Sequence, residues 1–138
     1  MKKFLAVMNM RFCRRECLLI GLCRAMIRKR NEGGRRMLCS EIHIRDPYVL
    51  AHGGEYYMYG SRAQNFAKKV GGFDVYVSTD LVNWSEPVEC FNSVAYDLND
   101  GANWAPEVHR YQDHFYMLAT FTQKDGLRGT YILIADDP

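Results

Sequence analysis

Ile44-Arg45-Asp46-Pro47-Tyr48-Val49-Leu50 is the stretch on which the reading of this chain turns, because a carboxylate just before a proline opens an apolar, aromatic and β-branched run. The pattern returns at Trp104-Ala105-Pro106-Glu107-Val108 without the carboxylate. Setting Pro47 on Pro106 aligns Val49 with Val108, Tyr56-Tyr57-Met58 with Phe115-Tyr116-Met117 and Ser61 with Thr120, all at an offset of 59. Further on, Gly72-Phe73-Asp74-Val75-Tyr76-Val77 aligns with Gly129-Thr130-Tyr131-Ile132-Leu133-Ile134 at an offset of 57. Repeats of about 40–50 residues, each made of several short strands, are the sequence sign of β-propeller blades.

Turn residues divide each repeat into strands rich in β-branched and aromatic side chains. Pro47 to Ala51 reads as a first strand, Gly53-Gly54 as a hairpin turn and Glu55 to Gly60 as a second strand. Phe73 to Ser78 reads as the third, with Phe73, Val75 and Val77 on one face and Asp74, Tyr76 and Ser78 on the other. Asp80 to Trp84 turns the chain, and Val88 to Phe91 supplies a short outer strand. In the second copy Pro106 to Tyr111, Phe115 to Phe121 and Thr130 to Ala135 repeat the first three strands. Asp136-Asp137-Pro138 then falls where Thr79-Asp80-Leu81 stands in the first copy, so the second blade lacks its fourth strand. The expected class is all-β, an incomplete β-propeller of about two four-stranded blades, each leaving a sheet face for a neighbour to cover.

With 138 residues, 48% of them hydrophobic and 25% charged, the chain has the composition of about one globular domain rather than of a disordered tail. The net charge of +2 conceals a split. Residues 1–36 carry 11 Lys/Arg against 2 Glu, and residues 37–138 carry 7 against 14 Asp/Glu. That asymmetry marks a basic leader joined to an acidic folded unit. The leader's apolar run, Cys17 to Ile27, is broken by Arg24 and falls short of the roughly 20 residues a membrane-spanning helix needs. Basic residues continue after it and no small-residue cleavage pattern follows, so neither a membrane partner nor a signal peptide is expected, and the location expected is cytoplasmic. Clustered Arg28-Lys29-Arg30 and Arg35-Arg36 would attract phosphates, as a nucleic-acid-binding arm does. A plainer alternative is translation from Met37, since Glu32-Gly33-Gly34 can be encoded by a purine-rich ribosome-binding run. No fold, function or nucleic-acid partner is therefore placed on residues 1–36. The expected folded unit is 37–138, with blade one at about 44–92 and blade two at about 103–138.

Residues 44 to 138 resemble glycoside hydrolase family 43, whose members are five-bladed β-propellers that cleave arabinose- or xylose-containing polysaccharides. Three stretches carry the resemblance: IRDPYVL followed by GEYYMYGS, then GFDVYVSTDLVNW, then NWAPEVHRYQDHFYMLATF. Together they cover about two blades of five. The resemblance implies a carbohydrate substrate, an arabinoside or xyloside, inversion at the anomeric carbon, and downstream blades that complete the fold. A non-catalytic propeller module that binds glycans or proteins is the alternative.

By this resemblance Asp46 takes the place of the general base that activates the attacking water. An inverting glycosidase needs that base and a separate acid about 6.5–9.5 Å apart. The innermost strand of a propeller blade begins near the axis, which agrees with that position, although Asp before Pro also commonly caps a turn. Trp104 would line the sugar pocket, or serve as packing as Trp84 does between strands. Arg45 would hold a carboxylate ionised or touch a sugar hydroxyl, or simply remain solvated. Glu107 has the strand parity of the position equivalent to Asp46 and could be drawn as the acid. The family's acid glutamate, however, comes from a later blade, as does the acidic residue that tunes it, so Glu107 reads as a pocket polar group. The isolated chain is then expected to be inactive.

Asp97, Asp100 and Gly101 form a polar loop expected to rim the pocket. His43, His52, His109 and His114 show no metal-ligand spacing, and the five cysteines show neither a zinc pattern nor a disulfide framework, so neither metal nor cofactor is expected.

Overall fold

The computed structural model describes residues 5–7, 35–62, 71–95, 103–122 and 126–138. Its elements are β1 (Leu5–Val7), β2 (Met37–Leu38), a 3-10 turn (Cys39–Glu41), β3 (Ile44–His52), β4 (Glu55–Arg62), β5 (Phe73–Ser78), β6 (Asn83–Trp84), β7 (Val88–Phe91), β8 (Asn103–Tyr111), β9 (His114–Thr122) and β10 (Arg128–Ala135). They form two antiparallel sheets. The first runs β3-β4-β5, with β6 and β7 both on the outer edge of β5 and β2 beyond β6. The second runs β8-β9-β10 with β1 beyond.

The internal repeat holds residue by residue in the strand register. Val49 faces Met58 as Val108 faces Met117, and the hairpins close at His52–Glu55 and Tyr111–His114. The third strands follow at the shorter offset, with Tyr59 opposite Val75 and Leu118 opposite Ile132. Gly53 and Gly54 take φ of 61° and 83°, the left-handed pair that a two-residue hairpin matched to strand twist requires. The innermost strands begin earlier than the sequence suggests, at Ile44 and Asn103. Pro47 and Pro106 do not end them because each proline falls where the ladder is already interrupted, so its missing N–H breaks no hydrogen bond.

The main core lies between the sheets. Tyr57, Tyr59, Phe73, Val75, Val77 and Phe91 of the first meet Val108, Phe115, Met117, Phe121, Tyr131 and Leu133 of the second. The expected faces of β5 are observed, Phe73, Val75 and Val77 lying in this core while Tyr76 joins Met58 and Trp84 in a second cluster on the opposite face. Rings of Phe73, Phe91 and Phe121 stand 5.5–6.2 Å apart, each such pair contributing about 0.5–1.5 kcal/mol beyond its burial. The sheets use opposite faces for this contact: Tyr57 and Tyr59 point into it from β4, but their repeat equivalents Tyr116 and Leu118 point away, and Phe115 and Met117 point in. The second sheet thus turns outward the face that the first uses for packing. Val75 is 1% exposed, whereas its equivalent Ile132 is 47% exposed.

Behind the first sheet, Trp84 is 2% exposed and packs with Met58 and Tyr76, its indole N–H donating to Leu81 O at 3.3 Å. It is a packing tryptophan, as expected. Asp80 organises the preceding turn, accepting from Val82 N–H, Asn83 N–H, the Asn83 side chain and the Ser78 hydroxyl at 2.7–3.0 Å. Arg62, at the end of β4, pairs with Asp74 and with Glu89 at 3.0 Å, tying β4, β5 and β7 together. Burial pulls the Arg62 guanidinium's pKa down, but hydrogen bonds and charge from Asp74 and Glu89 outweigh it and raise the value overall. Cys39 is exposed and Cys90 buried, both free thiols, while Cys13, Cys17 and Cys23 lie outside the described residues. Within the basic leader, Leu5–Val7 pairs with Ile132–Ile134, on the edge where β7 stands in the first sheet.

Candidate active site

Asp46 sits on a β-bulge. The β3–β4 ladder runs from Ile44–Arg62 and Arg45–Ser61 to Tyr48–Tyr59, so Asp46 and Pro47 together oppose Gly60. An extra residue twists the strand and re-aims its side chain, and Asp46 accordingly has φ of 52° and is exposed. Asp tolerates this left-handed conformation better than most residues. Gly60 allows the close approach, since a Cβ there would meet Ile44 Cδ1 at 2.6 Å and Arg45 O at 3.0 Å. The second sheet repeats the device: β8 shifts register between Trp104 and Glu107, and Ala105 has φ of 49°.

Ser61 connects the two bulges. Its side chain is fully buried; the hydroxyl donates to Asp46 Oδ2 at 3.0 Å and accepts from Ala105 N–H at 2.8 Å. Asp46 is thereby brought beside the Trp104–Ala105 peptide. Trp104 is half-buried, and the Arg128 guanidinium lies 4.9 Å from its ring centroid, in cation–π contact. The strands joined at this point, with β10 beside them, thus carry an accessible carboxylate, an aromatic ring and a cation against that ring. Such a combination suits sugars, which offer hydroxyls and apolar C–H faces together.

The matching family model is "Glycosyl hydrolases family 43", over residues 40–138. The chain belongs to this family. Among solved structures, a thermostable family-43 glycoside hydrolase is 32% identical, with 77% of this chain and 31% of that one covered and a TM-score of 0.59. The endo-arabinase from Bacteroides thetaiotaomicron VPI-5482 is 30% identical over 74% of this chain and 34% of that one, with a TM-score of 0.60. A GH43_1 enzyme from Xanthomonas citri complexed with xylose is 14% identical, covers 85% of this chain and 36% of that one, and has a TM-score of 0.60, a likeness of fold alone. No curated protein matches the chain. This family-43 chain spans about a third of the length of these solved relatives, and its two sheets are blades of an incomplete β-propeller.

Within the family-43 frame, the residues singled out from the sequence do not all converge. Arg45 precedes Asp46 on the bulge and is exposed. Glu107 lies beyond the β8 bulge, is exposed, and is engaged by His109, Nε2 to Oε1 at 2.8 Å, whose ring in turn stands 5.6 Å from that of Tyr48. Beyond the register shift Ala105 and Glu107 are both exposed, with Pro106 and Val108 buried, so the two lie on one side of the strand. Asp97, Asp100 and Gly101 lie outside the described residues. A cavity of about 680 Å³ opens elsewhere, lined by Arg35, Met37, Ser40, Glu41, His43, Glu86 and Pro87, with none of the bulge residues in its wall. No group of three or more His, Cys, Asp or Glu able to hold a metal occurs among the described residues. Ser61 was legible only as half of the Ser61/Thr120 match. A hydroxyl kept at the same place in both repeats was the available signal.

Proposed function

We propose that the chain is part of an inverting family-43 glycosidase acting on arabinose- or xylose-containing glycans, with Asp46 as general base and residues 37–138, joined at one sheet edge by Leu5–Val7, as the folded unit. The observation that carries the reading is Asp46 itself: an exposed carboxylate, aimed by a bulge at the start of an innermost strand, in a chain whose family cleaves glycosidic bonds. Asp46 takes a proton from water as the water oxygen bonds to the anomeric carbon, on the face opposite the departing group. A general acid protonates the leaving glycosidic oxygen. Trp104 offers its face to the sugar, and Arg45 and Glu107 contribute polar contacts around it. By family resemblance the acid belongs to a later blade, and the open face of the second sheet is where further blades would pack. The chain alone is then inactive.

Two assays test this. In a protein continuing through the later blades, Asp46→Asn should lower kcat on aryl α-arabinofuranosides or β-xylosides by about 10²–10⁴, and the first-formed sugar should have inverted configuration. Retained configuration excludes the mechanism. Turnover by the purified 138-residue chain, lost in Asp46→Asn, would overturn the claim that the acid lies beyond it. A second reading, a glycan-binding module without turnover, is favoured by half-exposed Trp104 beneath Arg128. It expects oligosaccharide binding that Trp104→Ala abolishes and Asp46→Asn spares.

A further inference from the structure

We infer that Ser61 is a positioning residue which makes the presentation of Asp46 conditional on the docking of the second blade. This rests on the reading of Asp46 as the reacting carboxylate. A serine hydroxyl has one proton to give and can turn it through several directions. Here the turning is restricted, because the oxygen already accepts the Ala105 N–H from the second blade at 2.8 Å, which leaves the proton directed at Asp46 Oδ2, 3.0 Å away. The side chain is 0% exposed, so water does not compete for either bond.

The geometry is over-determined around this point. Ser61 follows Gly60, which lies so close beneath the bulge that a Cβ would meet the Ile44 side chain at 2.6 and 2.9 Å. Strand β4 therefore cannot slide away from β3 without losing the packing that sets the Ser61–Asp46 distance. On the other side, Ala105 is the bulge residue of the second blade, held at φ of 49°, and its N–H points back across the interface. Among the described residues the Asp46 carboxylate has one hydrogen-bond partner, and it binds one of the two oxygens. Ser61 thus holds Oδ2 and leaves Oδ1 as the oxygen able to meet a water. Separation of the blades removes the Ala105 bond, frees the hydroxyl to rotate, and unfixes the carboxylate.

The experiment uses side-chain couplings of Asp46 and amide exchange at Ala105, measured by NMR on the whole chain as wild type, Ser61→Ala and Ser61→Thr. The expected wild type shows one dominant Asp46 χ1 rotamer. Ser61→Ala should average it over at least two and speed Ala105 exchange by roughly tenfold, the equivalent of one ordinary net hydrogen bond, while Met117 and Leu133 in the core exchange as before. Ser61→Thr, which restores the hydroxyl, should return the single rotamer. An averaged Asp46 in the wild type, or a single rotamer persisting in Ser61→Ala, overturns the proposal. A uniform rise in core exchange in Ser61→Ala, with no rotamer change, equally overturns it by showing a structural role. None of these readouts depends on turnover, so failure of the base assignment and failure of the positioning role are told apart.

Discussion

Asp46 and Ala105 occupy the same point of two consecutive blades, each on a bulge with left-handed backbone at φ of 52° and 49°, and Ser61 joins them by hydrogen bonds to both. The backbone device is duplicated while the chemistry is not. One copy presents a carboxylate and the other a methyl group, so the same backbone pose carries different side chains.

The bulge depends on a side chain being absent opposite it. Gly60→Ala would place a Cβ at 2.6 Å from Ile44 Cδ1 and 3.0 Å from the Arg45 carbonyl oxygen, and the backbone oxygen cannot yield as a side-chain tip does. The expected loss is about 1–3 kcal/mol, the usual cost of overpacking, read as a lowered urea midpoint at unchanged slope. Unchanged stability would mean that the strands are not so close.

Tyr59 is wholly buried between the blades, and among the described residues its hydroxyl has no hydrogen-bond partner. Burial, with lesser contributions from Cys90, Tyr57 and Tyr48, pushes its pKa well above the ordinary range. Tyr59→Phe keeps the ring and removes the orphaned polar group, so stability should rise by about 1 kcal/mol in chemical denaturation. A loss of that size would show that the hydroxyl has a partner.

The two inner hairpins differ at one informative place. Gly53 and Gln112 are equivalent by the offset of 59, and both have positive φ, 61° and 53°. Gln112 is exposed, so little packing is lost on removing its side chain. Gln112→Gly should stabilise by about 0.5–1 kcal/mol, the left-handed cost of an L residue less the added chain entropy of glycine, whereas Gln112→Ala should not. Thermal melts of the two variants decide it.

Asp80 gives a pH signature. Hydrogen bonds from the Asn83 side chain and N–H, and then from Val82 N–H and the Ser78 hydroxyl, hold its carboxyl far below the usual carboxylate range. A depressed folded-state pKa contributes stability above the unfolded value, about 3.9, that is lost as pH falls through the folded value. Asp80→Asn should therefore melt a few degrees below wild type at pH 7, with the gap narrowing as pH drops below about 4. A gap independent of pH would assign the effect to shape rather than charge.

The strands and their pairing partners were legible because the repeat imposes one register twice: Pro47/Pro106, Val49/Val108 and the hairpin turns recur at one spacing, and sheet propensity agrees with it. The bulges were not. A proline at the end of a strand and a proline at an interrupted ladder look alike until the partner strand is known. Asp46 stood out through its neighbours in sequence. Ser61 did not, because its partners lie 15 and 44 residues away on two different strands.

What the sequence alone determined is the repeat, the all-β class, the family and the candidate carboxylate, since each is carried by residues close together along the chain and by a pattern that periodicity exposes. Tertiary structure alone decided which face of each blade meets the other, where Glu107 finds its partner, and what holds Asp46 in place. Those depend on the packing of one sheet against another, which brings together residues far apart along the chain.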